Sequence, residues 1–213
     1  MGYSYHQRAQ NFGLNLNIYS PLGCDITLSQ LQDFFRLRKA EFVDNLGWSI
    51  AYSGTMEQDQ YDLPFAQYCL AYQENECIGG ARIMPTSSKV QTNEGSEFNY
   101  MLRDFYTNKI DVGCDPDCMY EALPVSDQVW EMSRFVSSSR HATRELLYAV
   151  DDYLKMMNVK EVLTISPVAF PRLLGALGFQ ARALSKPIKF EDREYVVLAT
   201  EVGRAPKTKR TPL

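Results

Sequence analysis

VWEMSRFV (129–136), RHATRELLYAVDDYLKMM (140–157), EVLTI (161–165) and VAFPRLLGAL (168–177) follow one another with short connections. The first and third are β-prone runs. In the second, Leu146, Val150, Tyr153, Leu154 and Met157 recur at helical spacing. In the fourth, Phe170, Leu173, Leu174 and Leu177 share one face, and Gly178 supplies a C-terminal stop. Alternation of strand and helix points to a layered α/β fold.

Upstream, residues 28–46 read as an amphipathic helix, with Thr27 or Ser29 as its cap and Gly47 as its stop. Leu31, Phe35, Arg38, Phe42 and Leu46 form one stripe. Arg38 therefore puts a guanidinium on the apolar face, where it needs an anion from the fold or from a ligand. Residues 66–72 and 77–84 read as strands joined by a tight turn at 73–76. Residues 86–125 are rich in turn formers and read as a long irregular connection. Two strands, over 179–186 and 189–201, complete the chain. The expectation is one domain over 1–203, a mixed central sheet flanked by helices on both faces, and a basic flexible tail over 204–213. The element order is that of the GNAT N-acyltransferase fold.

Composition narrows the function. The chain has 213 residues, 45% hydrophobic and 23% charged, an ordinary globular balance. No apolar run reaches the length of a membrane span, and MGYSYHQRAQNFG lacks the apolar centre of a signal peptide, so a cytoplasmic location without membrane contact is expected. The net charge of −4 argues against nucleic acid as a partner. Arg204, Lys207, Lys209 and Arg210 carry the tail's positive charge, leaving about −8 on the rest. Five cysteines, an odd number, do not suggest a disulfide framework. Cys114 and Cys118 in CDPDC lack a second ligand pair, so no metal is expected. No cofactor is expected either. There is no GxxxxGK[ST] or GxGxxG loop and no GxSxG elbow, and the R/QxxGxG/A pyrophosphate loop of ordinary GNAT enzymes is not evident.

What remains is a set of charges and aromatics: Arg38, Phe42, Trp48, Asp59, Asp62, Arg82, Glu131 and Arg134. Mixed charge beside aromatics suits a small ligand carrying both an amine and a carboxylate. The acidic loop EQDQYD suits an ammonium or sulfonium centre. Phe42 and Trp48 suit an adenine ring or a cation. Arg38 and Arg82 either pair with the aspartates or grip a carboxylate. Glu131 and Arg134, three apart, fall on opposite faces of a flat strand, and a bulge near Ser133 would bring them together.

These residues follow the pattern R-x3-F-x5-W-x10-D-x2-D, then an arginine before a Pro-Thr dipeptide, then E-x-S-R-F. In that pattern the chain resembles the acyl-homoserine-lactone synthase (autoinducer synthase) family, strongly from about residue 31 to 136. The first 25 residues match nothing in the family. EGSEFNY and CDPDCMYEAL look like inserted material between Arg82 and Glu131.

The resemblance implies joining an acyl thioester to S-adenosylmethionine, followed by lactone closure and release of methylthioadenosine. It implies catalytic roles for Glu131, Arg134, Asp59, Asp62 and Arg82. Arg38, Phe42, Trp48 and Phe135 would bind S-adenosylmethionine. Val162, Thr164, Ser166, Phe170 and Leu174 would form the acyl pocket, with Thr164 or Ser166 meeting a 3-substituent or bonding backbone instead. The donor would be acyl-carrier protein or acyl-coenzyme A, with Arg172, Arg182, Lys186, Lys189 and Arg193 as a surface for the acidic carrier. Two other readings stay open: a GNAT-type acyltransferase acting on another amine without lactonisation, and a binder of S-adenosylmethionine without turnover.

Overall fold

The computed structural model describes residues 5–9, 14–23, 25–63, 65–91, 95, 97–110 and 116–205. Cys114, Lys207, Lys209 and Arg210, singled out above, lie outside them. In chain order the elements begin with β1 Tyr5–Ala9, β2 Leu14–Tyr19, α1 Leu28–Arg38 and a π-helical segment Lys39–Asn45. Then come β3 Tyr52–Ser53, β4 Met56–Glu57, β5 Gln67–Gln73, β6 Glu76–Pro85, β7 Val90–Gln91, β8 Glu97–Phe98 and α2 Met101–Tyr106. The remainder is β9 Val129–Ser137, α3 Arg140–Met156, β10 Glu161–Pro167, α4 Phe170–Leu177, β11 Ala181–Ala183, β12 Ile188–Phe190 and β13 Arg193–Glu201. These form two compact units. One comprises the described residues through Ile83 with Arg134–Tyr153; the other comprises Met84–Ser133 with the described residues from Leu154.

In the first unit, β1 pairs β2, β2 pairs β5 and β5 pairs β6, all antiparallel. The β1–β2 hairpin is a correction, because the opening residues were assigned no structure. Leu14, Leu16 and Ile18 alternate into the core, a pattern too short to announce itself without its partner strand. The β5–β6 hairpin turns through Glu74 and Asn75, both at positive φ, as a two-residue primed turn requires. Helices cover both faces of β6. A Cβ on Gly80 would come within 2.7 Å of Phe34 in α1, and one on Gly79 within 2.8 Å of Leu146 in α3. Successive strand residues point oppositely, so α1 and α3 lie on opposite sides.

The predicted helix over 28–46 is an α-helix only to Arg38 and continues as the π-segment. Thr27 caps it: its hydroxyl accepts from the Gln30 amide at 3.2 Å, and Gln30 Oε1 accepts from the Thr27 amide at 2.9 Å. Phe34, Phe35, Arg38 and Phe42 are buried; Leu31 and Leu46 are only partly so.

In the second unit, β10 runs parallel to β9 over Glu161–Leu163 against Val129–Glu131, and antiparallel to β13 along its whole length. The sheet is therefore mixed, as expected. The predicted strand over 189–201 is instead a hairpin of β12 and β13 turning at Glu191, which has a φ of 51°. Residues 86–125 include the β7–β8 ribbon and α2, so that connection is more ordered than its composition suggested. Leu173 is 38% exposed and Met157 37% exposed, against the prediction that both point inward. No helix among the described residues is long and apolar enough to cross a membrane.

Candidate active site

Three arginines and three carboxylates interlock in the first unit, and all six side chains are at most 11% exposed. Arg38, at the end of α1, sends Nε to Glu57 Oε2 at 2.5 Å and Nη1 to Asp62 Oδ1 at 2.8 Å. Its Nη2 lies 3.7 Å from Asp59 Oδ2. Arg82 on β6 forks onto Asp59 at 2.5 and 3.2 Å and reaches Asp62 Oδ1 at 3.0 Å. Arg134 on β9 places Nε 3.3 Å from both Glu57 oxygens and Nη2 2.8 Å from Asp59 Oδ2. Formal charge sums to zero, the condition under which so many ions tolerate burial.

Burial raises the Asp59 carboxyl, but the Arg82 and Arg134 charges outweigh it and hold the group well below the usual carboxylate range. Asp62 Oδ1 accepts from Arg38, Arg82 and, at 3.1 Å, the Tyr68 hydroxyl; Oδ2 accepts from the Asp59 amide at 2.9 Å. Burial, with the charge of Asp62, pushes the Tyr68 hydroxyl far above its ordinary range, so it stays a donor. The arginines pair with the aspartates.

Aromatic rings enclose the network. Phe42, from the π-segment, stacks on Trp48 with centroids 4.8 Å apart and planes 14° from parallel. The wide turn brings this about: the Trp48 amide bonds the Phe42 carbonyl at 2.8 Å, and the Leu46 amide bonds that of Glu41 at 2.9 Å. Arg134 lies 5.7 Å from the Phe42 ring centre. Phe34 and Phe35 lie 5.5 and 5.2 Å from Arg38, and Tyr61 lies 5.7 Å from Arg82.

Arg134, one residue past Ser133, has a φ of +53°. A non-glycine residue there costs on the order of 1–3 kcal/mol, which its pairs with Glu57 and Asp59 offset. Glu131 belongs to the second unit. Its oxygens accept from the Met101 amide at 3.2 Å and the Leu102 amide at 2.7 Å, so it holds the first turn of α2. Phe135, expected to bind substrate, lies one residue past Arg134 on β9.

Of the acyl-pocket residues, Val162, Thr164, Ser166 and Leu174 are buried and Phe170 is partly exposed. Ser166 donates to the Thr164 hydroxyl at 3.3 Å, side chain to side chain rather than to backbone. Arg172, Arg182, Lys186, Lys189 and Arg193 are all exposed, and Arg182 bonds Glu121 at 2.6 Å and Glu161 at 3.4 Å.

Glu57, Tyr61 and Tyr68 were missed. Glu57 stands two residues before Asp59, but charge counting did not mark it, because Glu131 already balanced the third arginine. Nothing in the order of residues marked Tyr68. Among the described residues no group of histidine, cysteine and acidic side chains is arranged to hold a metal ion, and Cys69 and Cys77 are free thiols.

The fold is of the GNAT-like layered kind. The chain belongs to the autoinducer synthase family, whose model matches residues 25–208. An acyl-homoserine-lactone synthase of Pseudomonas fluorescens is 30% identical over 173 residues, covering 79% of each chain. Among solved structures, TofI in a ternary complex with an inhibitor and MTA superposes with a TM-score of 0.70 at 22% identity, covering 87% of this chain and 90% of TofI. BjaI, a CoA-dependent acyl-homoserine lactone synthase with MTA, gives 0.71 at 20% identity, covering 90% of this chain and 83% of BjaI.

Proposed function

We propose that this chain is an acyl-homoserine-lactone synthase. It acylates the amine of S-adenosylmethionine from an acyl thioester, then closes the lactone and releases methylthioadenosine. The observation that carries this reading is the buried, charge-balanced lattice of Arg38, Glu57, Asp59, Asp62, Arg82 and Arg134 beside the stacked Phe42–Trp48 pair. It combines a rigid floor of both signs with π-faces suited to an adenine and a sulfonium. Because the arginines are spent on carboxylates, they order the site rather than clamp the substrate carboxylate, which must stay free to act as nucleophile.

In the first step the amine lone pair attacks the thioester carbonyl; a C–N bond forms and the carrier thiolate leaves. A free α-amine has a pKa of about 7.7–8.0, so deprotonation near pH 7 costs only about 1 kcal/mol. Positioning therefore matters more than basicity. Glu131 takes the amine proton through water, each oxygen having a lone pair beyond the one given to α2. A backbone amide near Phe135 receives the oxyanion. In the second step a methionyl carboxylate oxygen attacks its own γ-carbon. The C–O bond forms, the C–S bond breaks, and the sulfur leaves with the electron pair as neutral methylthioadenosine. Ring closure is intramolecular, and folding the substrate against Phe42 and Trp48 supplies its effective molarity.

The acyl chain lies along Val162, Thr164, Ser166, Phe170 and Leu174. The donor is acyl-carrier protein in the cytoplasm, approaching the exposed cations Arg172, Lys186, Lys189 and Arg193. Mass spectrometry of lipophilic extracts from expressing cells tests the whole reading. A homoserine-lactone series is expected. Soluble protein that yields none from S-adenosylmethionine with several acyl-carrier-protein and acyl-coenzyme A donors refutes it. Glu131→Gln that leaves turnover within twofold removes the base from its role.

A further inference from the structure

We propose that Tyr68 is a positioning residue for S-adenosylmethionine, its hydroxyl setting the rotation of the Asp62 carboxylate and, through it, the arginine lattice. The assignment rests on reading that lattice as the S-adenosylmethionine site.

Tyr68 lies directly opposite Arg82 across the β5–β6 pair, so both side chains leave the same face. Its ring is buried edge-on against Phe34 and Phe35, at 6.0 and 6.4 Å, the same rings that lie against the Arg38 guanidinium. The ring is thus held by two aromatic neighbours, and its hydroxyl is aimed at Asp62 Oδ1, 3.1 Å away. The other two donors to that oxygen each have a second carboxylate: Arg38 also holds Glu57, and Arg82 also forks onto Asp59. Either arginine can therefore draw Asp62 into a different pairing. Tyr68 has no rival acceptor among the network's carboxylates and keeps Oδ1 where both arginines share it. Oδ2 then points at the Asp59 amide, closing the turn in which the Asp62 amide bonds the Asp59 carbonyl at 3.1 Å. That turn aims the Asp59 carboxylate at Arg134.

The test is Tyr68→Phe, which removes one oxygen and keeps the ring. Tyr72→Phe is the control: a tyrosine on the same strand whose hydroxyl approaches Asp33 at 3.4 Å, outside the lattice. Calorimetry gives the Kd for S-adenosylmethionine, its stoichiometry counting folded protein, and steady-state kinetics gives both KM values. Tyr68→Phe is expected to raise the Kd and KM for S-adenosylmethionine about five- to tenfold, with the acyl-donor KM within twofold. Tyr72→Phe should change neither. In an Asp62→Asn background, Tyr68→Phe should add less than twofold. A Tyr68→Phe protein with Kd and KM for S-adenosylmethionine within twofold of wild type overturns the assignment, whatever happens to its Tm. Wild-type protein that binds no S-adenosylmethionine overturns the site reading itself and this assignment with it.

Discussion

Glu57 is the side chain on which the balance of the buried lattice turns. It faces Arg38 Nε at 2.5 Å and Arg134 Nε at 3.3 Å, and both Glu57 and Arg38 are fully buried. Glu57→Ala leaves three arginines with two aspartates, one uncompensated charge out of water, and an Arg38 Nε without its acceptor. Removing one partner of a buried pair costs about 3–5 kcal/mol. For a chain of this size each kcal/mol moves Tm by roughly 2–4 °C, so the drop should be on the order of 6–20 °C. Glu57→Gln keeps an acceptor oxygen and loses the charge, and should cost less, about 1–3 kcal/mol. Urea unfolding followed by fluorescence gives these numbers. Arg36→Ala, which removes the half-exposed pair with Asp33, serves as the reference and should cost about 0–1 kcal/mol. In a cycle with Arg134→Met, the double variant should cost less than the two single losses together, because charge balance is restored. A Glu57→Ala protein within 1 kcal/mol of wild type would refute the idea that charge balance holds the lattice together.

Gly80→Ala should cost about 1–3 kcal/mol in the same unfolding assay, because its Cβ would lie 2.7–2.9 Å from Phe34 and Leu70; an unchanged midpoint would show that α1 yields there. Asp59 has a folded pKa below its unfolded value of about 3.9, so its contribution is fully present above about pH 5 and is lost as pH falls towards the folded pKa. The drop in stability from pH 6 to pH 3 should therefore be smaller in Asp59→Asn than in wild type, and equal drops would contradict this. Burial pushes the Cys77 thiol up to about 11. Its alkylation by iodoacetamide, read by peptide mass, should be slow at pH 7.5 and still rising above pH 9.5; a rate that levels off near pH 8.5 would contradict it.

Helices α1, α3 and α4 and the long strands β5, β6, β9, β10 and β13 were legible because periodicity is a local property. Leu146, Val150, Tyr153 and Leu154 keep one spacing throughout α3, and the Thr27–Gln30 box marks where α1 begins. Local rules failed where a partner distant in sequence decides the outcome. Leu14, Leu16 and Ile18 become a strand by pairing with β5, more than fifty residues later. Met157 and Leu173 fit the helical pattern and are nevertheless exposed, because periodicity does not say whether another element covers a face.

Arg38 shows where sequence stops and tertiary structure takes over. By itself the sequence determined that a guanidinium stood on an apolar face, and burying a bare cation costs too much to be left unanswered, so an anion had to exist. It also set the spacing of Phe42, Trp48, Asp59, Asp62 and Arg82. It did not determine which anion answers Arg38. Glu57, Asp59 and Asp62 lie 19 to 24 residues away, and which oxygen meets which nitrogen depends on the turn at 59–62, the π-segment carrying Phe42 and the left-handed φ at Arg134. Those are decided by chain reversals and by packing across β5 and β6. The same packing brings Tyr68, unremarkable in FAQYCLAYQ, within hydrogen-bonding distance of Asp62. Electrostatic need is a property of composition and spacing; electrostatic partnership is a property of three-dimensional distance, which falls to contact range only after the chain has folded.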